Sequence, residues 1–336
     1  MLNIAVVGCG YWGPNLIRNF MSSSNTNLTW ACDLDSARLG NVLRPYPGVK
    51  LTTEFTDIIN DASVDAVAIA TPVASHFPLA KACLENGKHV LVEKPLAAKV
   101  SQGEELVKLA EKNKLVLMCD HTFCYTGAVR KIKEVIDSGA LGKILYYDSV
   151  RINLGLFQHD VNVIWDLAVH DLAIVDFLLD RQPVQVSAHG ISHAGNKENI
   201  AYVTLTYQNS FIAHFHVNWL SPVKIRKTII GGSEKMLEWN DLVPGEKIKI
   251  YDSGISINDQ DQEKKSNLLV SYRSGDIYSP RIDNTEALSL MIKEFIDSIV
   301  EKRNPLTDGH AALRVLKILE AAQRSIKADG ANVRIE

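Results

Sequence analysis

Residues 2–13 read Leu2-Asn3-Ile4-Ala5-Val6-Val7-Gly8-Cys9-Gly10-Tyr11-Trp12-Gly13, and Pro14-Asn15-Leu16-Ile17 follows at once. An apolar run of strand length ends in a Gly-x-Gly-x-x-Gly loop that opens a helical pattern. Glycines at this spacing permit a tight turn, close approach of the backbone to a pyrophosphate, and close packing of helix on strand. A phosphate placed there meets free backbone N–H groups and the positive end of the helix dipole. Taken alone, the motif also fits an ordinary glycine-rich turn. Its context favours the dinucleotide: Asp33 ends the next strand pattern twenty positions after Gly13. A carboxylate there accepts hydrogen bonds from the adenosine ribose hydroxyls and repels a 2′-phosphate. NAD is therefore the expected cofactor, and NADP the less favoured one. Arg38 lies near enough in sequence to hold such a phosphate, though a solvated helix face is the preferred reading for it.

The same grammar continues to residue 120. Leu2–Gly8, Leu28–Asp33, Ala66–Thr71, Val90–Glu93 and Val116–Asp120 read as strands, several of them apolar throughout. Strands of that kind are buried on both faces, as in a parallel sheet covered by helices. Helical patterns fall between them near 14–22, 36–43, 55–60, 76–86 and 102–113. Ser101 and Glu104 have capping-box spacing, and Gly87 stands where a helix would stop. A Rossmann-type, doubly wound parallel sheet over residues 1–120 follows.

Beyond residue 120 the pattern changes. Helices are expected near 128–138 and 165–179, and a strand at 144–150. Strands then come in series at 184–189, 201–207, 211–219, 224–230, 236–239 and 248–251, with turn-like breaks between some of them. Residues 252–284 are polar and irregular and read as a long loop or a partner-binding region. Two helices, near 285–302 and 310–328, close the chain. The expected second domain, residues 121–336, is an α+β unit with a mostly antiparallel, open-faced sheet for substrate binding and oligomerisation. A sheet with apolar residues on both faces needs cover that so few helices cannot supply, so a homodimer or homotetramer packed through it is expected.

A length of 336 residues suits two domains, and 46% apolar with 22% charged residues is ordinary for a globular protein. The net charge of −3 gives no polybasic field for nucleic acid or an anionic membrane. Five cysteines, at 9, 32, 83, 119 and 124, contain no CxxC pair, and three sit in apolar runs. A reducing compartment is the simple reading. The first strand pattern begins at Leu2, leaving no room for a signal peptide, and no run has membrane-spanning length. The cytoplasm is the expected location.

Two clusters carry possible chemistry. Glu93-Lys94-Pro95 follows the fifth strand pattern, at the carboxyl edge where such sheets place ligands. A lysine there can be partly desolvated and serve proton transfer; a surface lysine before a loop proline gives the same pattern. In Trp165-Asp166-Leu167-Ala168-Val169-His170-Asp171, a spacing of four puts Asp166 and His170 on one helix face. The carboxylate can orient the imidazole and stabilise its protonated form, but such a pair is also a common structural hydrogen bond. No HExxH pattern and no Gly-x-Ser-x-Gly elbow occurs, so neither a metal nor a serine nucleophile is expected.

Together GCGYWG, ATPVASH, GKHVLVEKPLA and DLAVHD resemble the Gfo/Idh/MocA family of oxidoreductases along nearly the whole chain. The resemblance implies catalytic roles for Lys94 and His170, with Asp166 beside them. Expected cofactor contacts are Gly8, Gly10, Tyr11, Trp12, Gly13, Asp33, Arg38, Thr71, Pro72, His76, Glu93 and Lys94. One departure is that the glycine-rich run often preceding the family's DxxxH helix reads here Asn162-Val163-Ile164-Trp165. His121-Thr122-Phe123, Trp165–Leu179, Leu306-Thr307-Asp308-Gly309 and Leu319–Ser325 are similar to the branch that oxidises UDP-N-acetylhexosamines or their uronates at C3, for amino-sugar and cell-surface glycan synthesis. Tyr125, Arg151 and Asn153, with Asp166 and His170, are the expected substrate contacts, Arg151 as a bidentate phosphate partner. A free sugar or inositol is the alternative substrate. The alternative of another class is a non-catalytic, dinucleotide-sensing regulatory protein, which would not require the Lys94, Asp166 and His170 set.

Overall fold

The computed structural model describes residues 1–155, 160–193, 195–257 and 270–336. Among these the chain divides into two compact units, Met1–Tyr125 with Thr285–Glu320, and Thr126–Asn284 with Ala321–Glu336.

In the first unit β1 (Leu2–Val7), α1 (Gly13–Ser22), β2 (Thr26–Cys32), α2 (Ser36–Leu43), β3 (Lys50–Thr52), α3 (Phe55–Asn60), β4 (Ala66–Ile69), α4 (Val73–Glu85), β5 (His89–Glu93), α5 (Val100–Asn113) and β6 (Leu117–Asp120) follow one another. The strands lie in the order β3-β2-β1-β4-β5-β6, every neighbouring pair parallel. Strand order reverses between β1 and β4, and the crevice at their carboxyl ends is where doubly wound sheets hold ligands. β4 and β6 are buried along their whole length, apolar throughout in β4 and up to Asp120 in β6. Val7, Ile69, Val92, Leu106 and Leu117 share one core cluster, each burial contributing about 1.5–3 kcal/mol.

Two local expectations differ. The Ser101–Glu104 capping box does not form. α5 starts two residues earlier, at Val100, without a side-chain cap from Lys99. Its first N–H is donated instead to Glu320 Oε2, 2.9 Å away. β3 escaped the periodicity because three residues at a sheet edge carry no pattern.

The second unit holds α6 (Gly127–Asp137), β7 (Ile144–Leu154), a π-turn over Ile164–Ala168 that runs into α7 (Val169–Leu178), and then β8 (Pro183–Ile191), β9 (Ile200–Tyr207), β10 (Ile212–Asn218), β11 (Leu220–Gly232), β12 (Met236–Asn240), β13 (Ile248–Ile257) and β14 (Val270–Tyr278). Downstream come α8 (Ala287–Glu301), α9 (Gly309–Lys327) and β15 (Val333–Arg334). The sheet order is β14-β13-β12-β11-β7-β10-β9-β8-β15. Its pairs are antiparallel except β7 with β10. The stretch 252–284, read as a loop, instead contains the end of β13 and all of β14; residues 258–269 of it lie outside the described ones. An outermost strand needs no apolar face, so its polar composition resembles a loop.

Placing everything after residue 120 in the second domain is also corrected. Thr285–Glu320 belongs with the first unit. Arg18 donates to both carboxylate oxygens of Glu286, at 3.1 and 2.5 Å. Ala312 joins the core of Leu106 and Leu117, and the Cys119 N–H bonds to Thr307 O beyond β6. These contacts join positions far apart in the chain, where local patterning has no reach.

Candidate active site

The glycine loop has the shape its motif demands. Gly8 has φ +94°, and a Cβ there would fall 2.4 Å from Ala70 O. One at Gly13 would fall 2.1 Å from Gly8 O, whereas at Gly10 nothing lies within 4 Å. The first and third glycines are thus required by the protein's own packing, and the second leaves a space that a phosphate group fits. Tyr11 and Trp12 stand exposed beside it, packed edge to face at 5.8 Å. α1 begins at Gly13 with Pro14 in its first turn, which directs its leading N–H groups toward the loop.

Asp33 is buried at the end of β2. Its Oδ2 accepts the Cys9 N–H at 2.7 Å and its Oδ1 the Asp35 N–H at 2.9 Å. Burial pulls this carboxyl upward, but those two N–H groups and the Arg38 guanidinium outweigh it and hold it below its ordinary range. Arg38 Nη1 lies 3.1 Å from Asp33 Oδ1, and Nη2 lies 3.4 Å from Asp35. Arg38 is exposed on α2, the solvated helix position preferred from sequence, and its guanidinium also lies against Asp33. It offsets the charge that should discriminate against a 2′-phosphate. Loop, helix terminus and ionised carboxylate together fit a dinucleotide.

The carboxyl ends of β4, β5 and β6 supply the next group. Thr71 and Pro72 lead into α4. His76 is buried, with Nε2 2.7 Å from Thr71 O and Nδ1 2.8 Å from Pro95 O. It ties two carboxyl-edge turns together. Glu93 and Asp120 are neighbours across β5 and β6, and Glu93 accepts the Lys94 N–H at 3.0 Å. Lys94 is half-buried and precedes a cis proline. Burial, then the neighbouring Asp120 charge, raises the Glu93 carboxyl well above its ordinary range; burial likewise raises Asp120. His121 is buried beside them, and burial with the Lys94 charge pushes its imidazole down to about 4. Asp120 and His121 were not singled out as site residues from sequence. The available signal was a pair of polar residues directly after an unbroken apolar strand.

In the second unit Asp166 sits in the π-turn and His170 at the start of α7. The Val169 N–H bonds to Ile164 O, five residues back, a geometry frequent at functional sites. Asp166 Oδ2 accepts the Trp219 indole N–H at 3.1 Å. Trp219 is a contact that nothing in local spacing announces. Asn153 is half-buried near the end of β7. The remaining two expected substrate contacts face inward. Arg151 is buried and donates through Nε and Nη2 to Asp171 at 2.7 and 2.9 Å. Tyr125 is buried in the first unit, 3.1 Å from Thr307 Oγ1. Thr307 gives its own proton to Cys119 O, so Tyr125 is the donor in that bond. Each spends its polar group on a partner inside the fold. Arg151 as a phosphate contact and Tyr125 as a substrate contact are corrected accordingly.

Family models match both parts of this architecture. An oxidoreductase-family model with an NAD-binding Rossmann fold matches residues 2–121, and a Gfo/Idh/MocA C-terminal domain matches residues 129–238. The chain belongs to the Gfo/Idh/MocA family. Within it, the UDP-N-acetylglucosamine 3-dehydrogenase of Acidithiobacillus ferrooxidans is 27% identical over 94% of both chains. Inositol 2-dehydrogenase 2 of Saccharopolyspora erythraea is 30% identical over 58% of each. The chain spans about three fifths of the length of the first curated relatives it matches. Among solved structures, the WlbA dehydrogenase from Bordetella pertussis, in complex with NADH and UDP-GlcNAcA, superposes with a TM-score of 0.83. It is 18% identical, over 100% of this chain and 98% of that one. Residues 2–121 thus carry an NAD-binding Rossmann fold. Among the described residues, no helix is long and apolar enough to cross a membrane.

Proposed function

We propose that this chain is an NAD-dependent dehydrogenase of a nucleotide-linked sugar. Its substrate in this reading is a UDP-N-acetylhexosamine or the corresponding uronate, oxidised at C3, in a route to amino sugars for cell-surface glycans. The observation that carries the reading is full-length likeness to a UDP-N-acetylglucosamine 3-dehydrogenase, extending through the substrate-binding unit as well as the Rossmann unit. When bound, the dinucleotide supplies the hydride acceptor. The glycine loop and Asp33 hold it, with Tyr11, Trp12, Thr71, Pro72 and Glu93 as further contacts. Lys94 or His170 takes the hydroxyl proton as the carbinol C–H is oxidised, and Asp166 orients the imidazole. Burial, then the Lys94 charge, lowers the His121 imidazole to about 4 and leaves it neutral near pH 7.

Oxidation of a free sugar or inositol is the second reading, favoured by the likeness to an inositol 2-dehydrogenase. With Arg151 committed to Asp171, the nucleotide reading no longer draws on that phosphate contact. A homodimer or homotetramer through the nine-stranded sheet belongs to the proposal, as does the absence of a membrane or nucleic-acid partner.

The test follows NADH formation with UDP-N-acetylglucosamine and its uronate against N-acetylglucosamine, glucose and myo-inositol. Higher kcat/KM for a UDP-sugar is the expected result. Faster oxidation of a free sugar or inositol would overturn the substrate. Tight NAD binding with no turnover on any compound would favour a dinucleotide-sensing protein.

A further inference from the structure

The π-turn carrying Asp166 is held by a closed set of side-chain hydrogen bonds. Asn162, just before it, is buried. Its Oδ1 accepts the N–H groups of Ile164 and Trp165, both at 3.2 Å, and its backbone O accepts the Asp166 N–H at 3.0 Å. Its Nδ2 donates to Glu198 Oε2 at 2.7 Å and Gln323 Oε1 at 2.5 Å. Gln323 Nε2 closes the triangle on Glu198 Oε1 at 3.1 Å. Both amide hydrogens are thus committed and the amide oxygen caps the turn, so one orientation of Asn162 satisfies all three groups.

The segment before β9 also reaches Asp166 from its other side. Glu198 O accepts the Val163 N–H at 3.0 Å, and Asn199 O accepts the Trp219 N–H at 2.9 Å. The Trp219 indole then bonds to Asp166. The Asp166 backbone is thus linked through Asn162 to Glu198, and its carboxylate through Trp219 to the adjacent Asn199. An isolated π-turn has poorer hydrogen-bond geometry than an α-helix and persists where its surroundings fix it. Asn162 heads the Asn-Val-Ile-Trp run, and its side-chain oxygen caps the first N–H groups of the turn.

We propose that Asn162, held by Glu198 and Gln323, is a positioning residue that sets the π-turn and so places Asp166, and His170 two residues beyond the turn, for proton transfer. The proposal rests on the reading of Asp166 and His170 given above. It predicts that loss of the clamp lowers kcat far more than it changes KM or NADH affinity, because a small misplacement of a proton-transfer group is felt mainly in the chemical step.

The variants are Asn162→Ala, Asn162→Asp, Glu198→Gln, and the last two combined. Asn162→Asp keeps the oxygen that caps Ile164 and Trp165 but sets a carboxylate against Glu198; it therefore tests the clamp even if the alanine variant fails to fold. Asn162→Ala and Asn162→Asp should each lower kcat by about 10- to 100-fold, with KM and NADH Kd within about twofold. Adding Glu198→Gln to Asn162→Asp should restore most of kcat, since the introduced amide can donate where the carboxylate repelled. A second readout needs no activity: the indole N–H resonance of Trp219, assigned with Trp219→Phe, should shift in Asn162→Asp and return in the double variant. Unchanged kcat in the folded variants, or no rescue, overturns the positioning role. So does an unmoved Trp219 resonance. If the wild-type protein oxidises none of the sugars tested, the catalytic reading fails by itself, and the resonance still decides whether Asn162 sets the turn.

Discussion

Arg151 and Asp171 form a bidentate ion pair, at 2.7 and 2.9 Å, with both side chains almost wholly buried. Each charge is compensated inside by a directly bonded opposite one, so removing one leaves a buried ion without that partner. Asp171→Ala or Arg151→Ala should each destabilise the protein by about 3–5 kcal/mol in urea unfolding. A loss below about 1 kcal/mol, the range of an exposed pair, would mean that water reaches the site.

Cofactor preference should depend on Asp33 and Arg38 together. Asp33 is held ionised by N–H groups of Cys9 and Asp35 after these outweigh its burial, and Arg38 lies against it. NAD(H) should bind more tightly than NADP(H). Asp33→Asn should lower the NAD preference by about tenfold or more, the scale of one charged hydrogen bond. Arg38→Ala should sharpen it, because the carboxylate loses its counter-ion. Titration calorimetry with both cofactors decides; tighter NADP(H) binding by the wild type would contradict the assignment and make Arg38 the phosphate contact.

Catalysis should fail without failure of cofactor binding. Lys94→Ala and His170→Asn should each reduce turnover by about 100-fold or more, while NADH affinity stays near the wild-type value in His170→Asn. Neither residue belongs to the glycine loop. Near-normal turnover in both variants would return Lys94 and His170 to structural roles.

Stability should carry a histidine-dependent slope in acid. The unfolded His121 takes a proton near its ordinary value of 6.5, whereas the folded one does so only near 4, through burial and then the Lys94 charge. Between those values the unfolded chain binds the additional proton, so this contribution is present above about 6.5 and is lost as pH falls toward 4. Glu93 and Asp120, raised chiefly by burial, act in the opposite sense and favour the fold as pH falls. In His121→Gln the urea midpoint should therefore drop less between pH 6.5 and pH 4.5 than in the wild type. Parallel pH dependences in the two proteins would show that His121 does not titrate in this way.

Assembly through the nine-stranded sheet should be visible at micromolar concentration. Tyr202 and Ile212 on β9 and β10 are large, apolar-bodied and well exposed, and Tyr202 stacks on His216 at 4.5 Å. Light scattering should report a dimer or tetramer. A monomeric mass would remove the oligomer from the functional proposal.

Much of the Rossmann unit was legible because its signals are local. An apolar run marks a doubly covered strand, a glycine at φ +94° against Ala70 O cannot carry a side chain, and a carboxylate at the end of the second strand falls beside that loop. Lys94, Asp166 and His170 could be named for the same reason: their motifs are short and each lies within one turn or strand end. Other features were legible only in part. The strand at 270–278 has an edge strand's polar composition, and the stretch 285–320 gave its helices but not the unit they pack in.

What the chain's own order could not convey is which polar groups meet across long separations. Arg151 reads as a strand-end cation, and only Asp171 from the facing helix turns it inward. Trp219 stands 53 positions from the carboxylate its indole holds, and Gln323 stands 161 from Asn162. Burial is a property of neighbours brought by the whole fold, and a buried hydrogen bond must be satisfied by whatever donor the fold delivers. Local spacing therefore determined the dinucleotide loop, the strand and helix grammar and the candidate proton-transfer groups. Tertiary packing alone decided which of the charged and polar side chains remain available to a ligand and which hold the others in place.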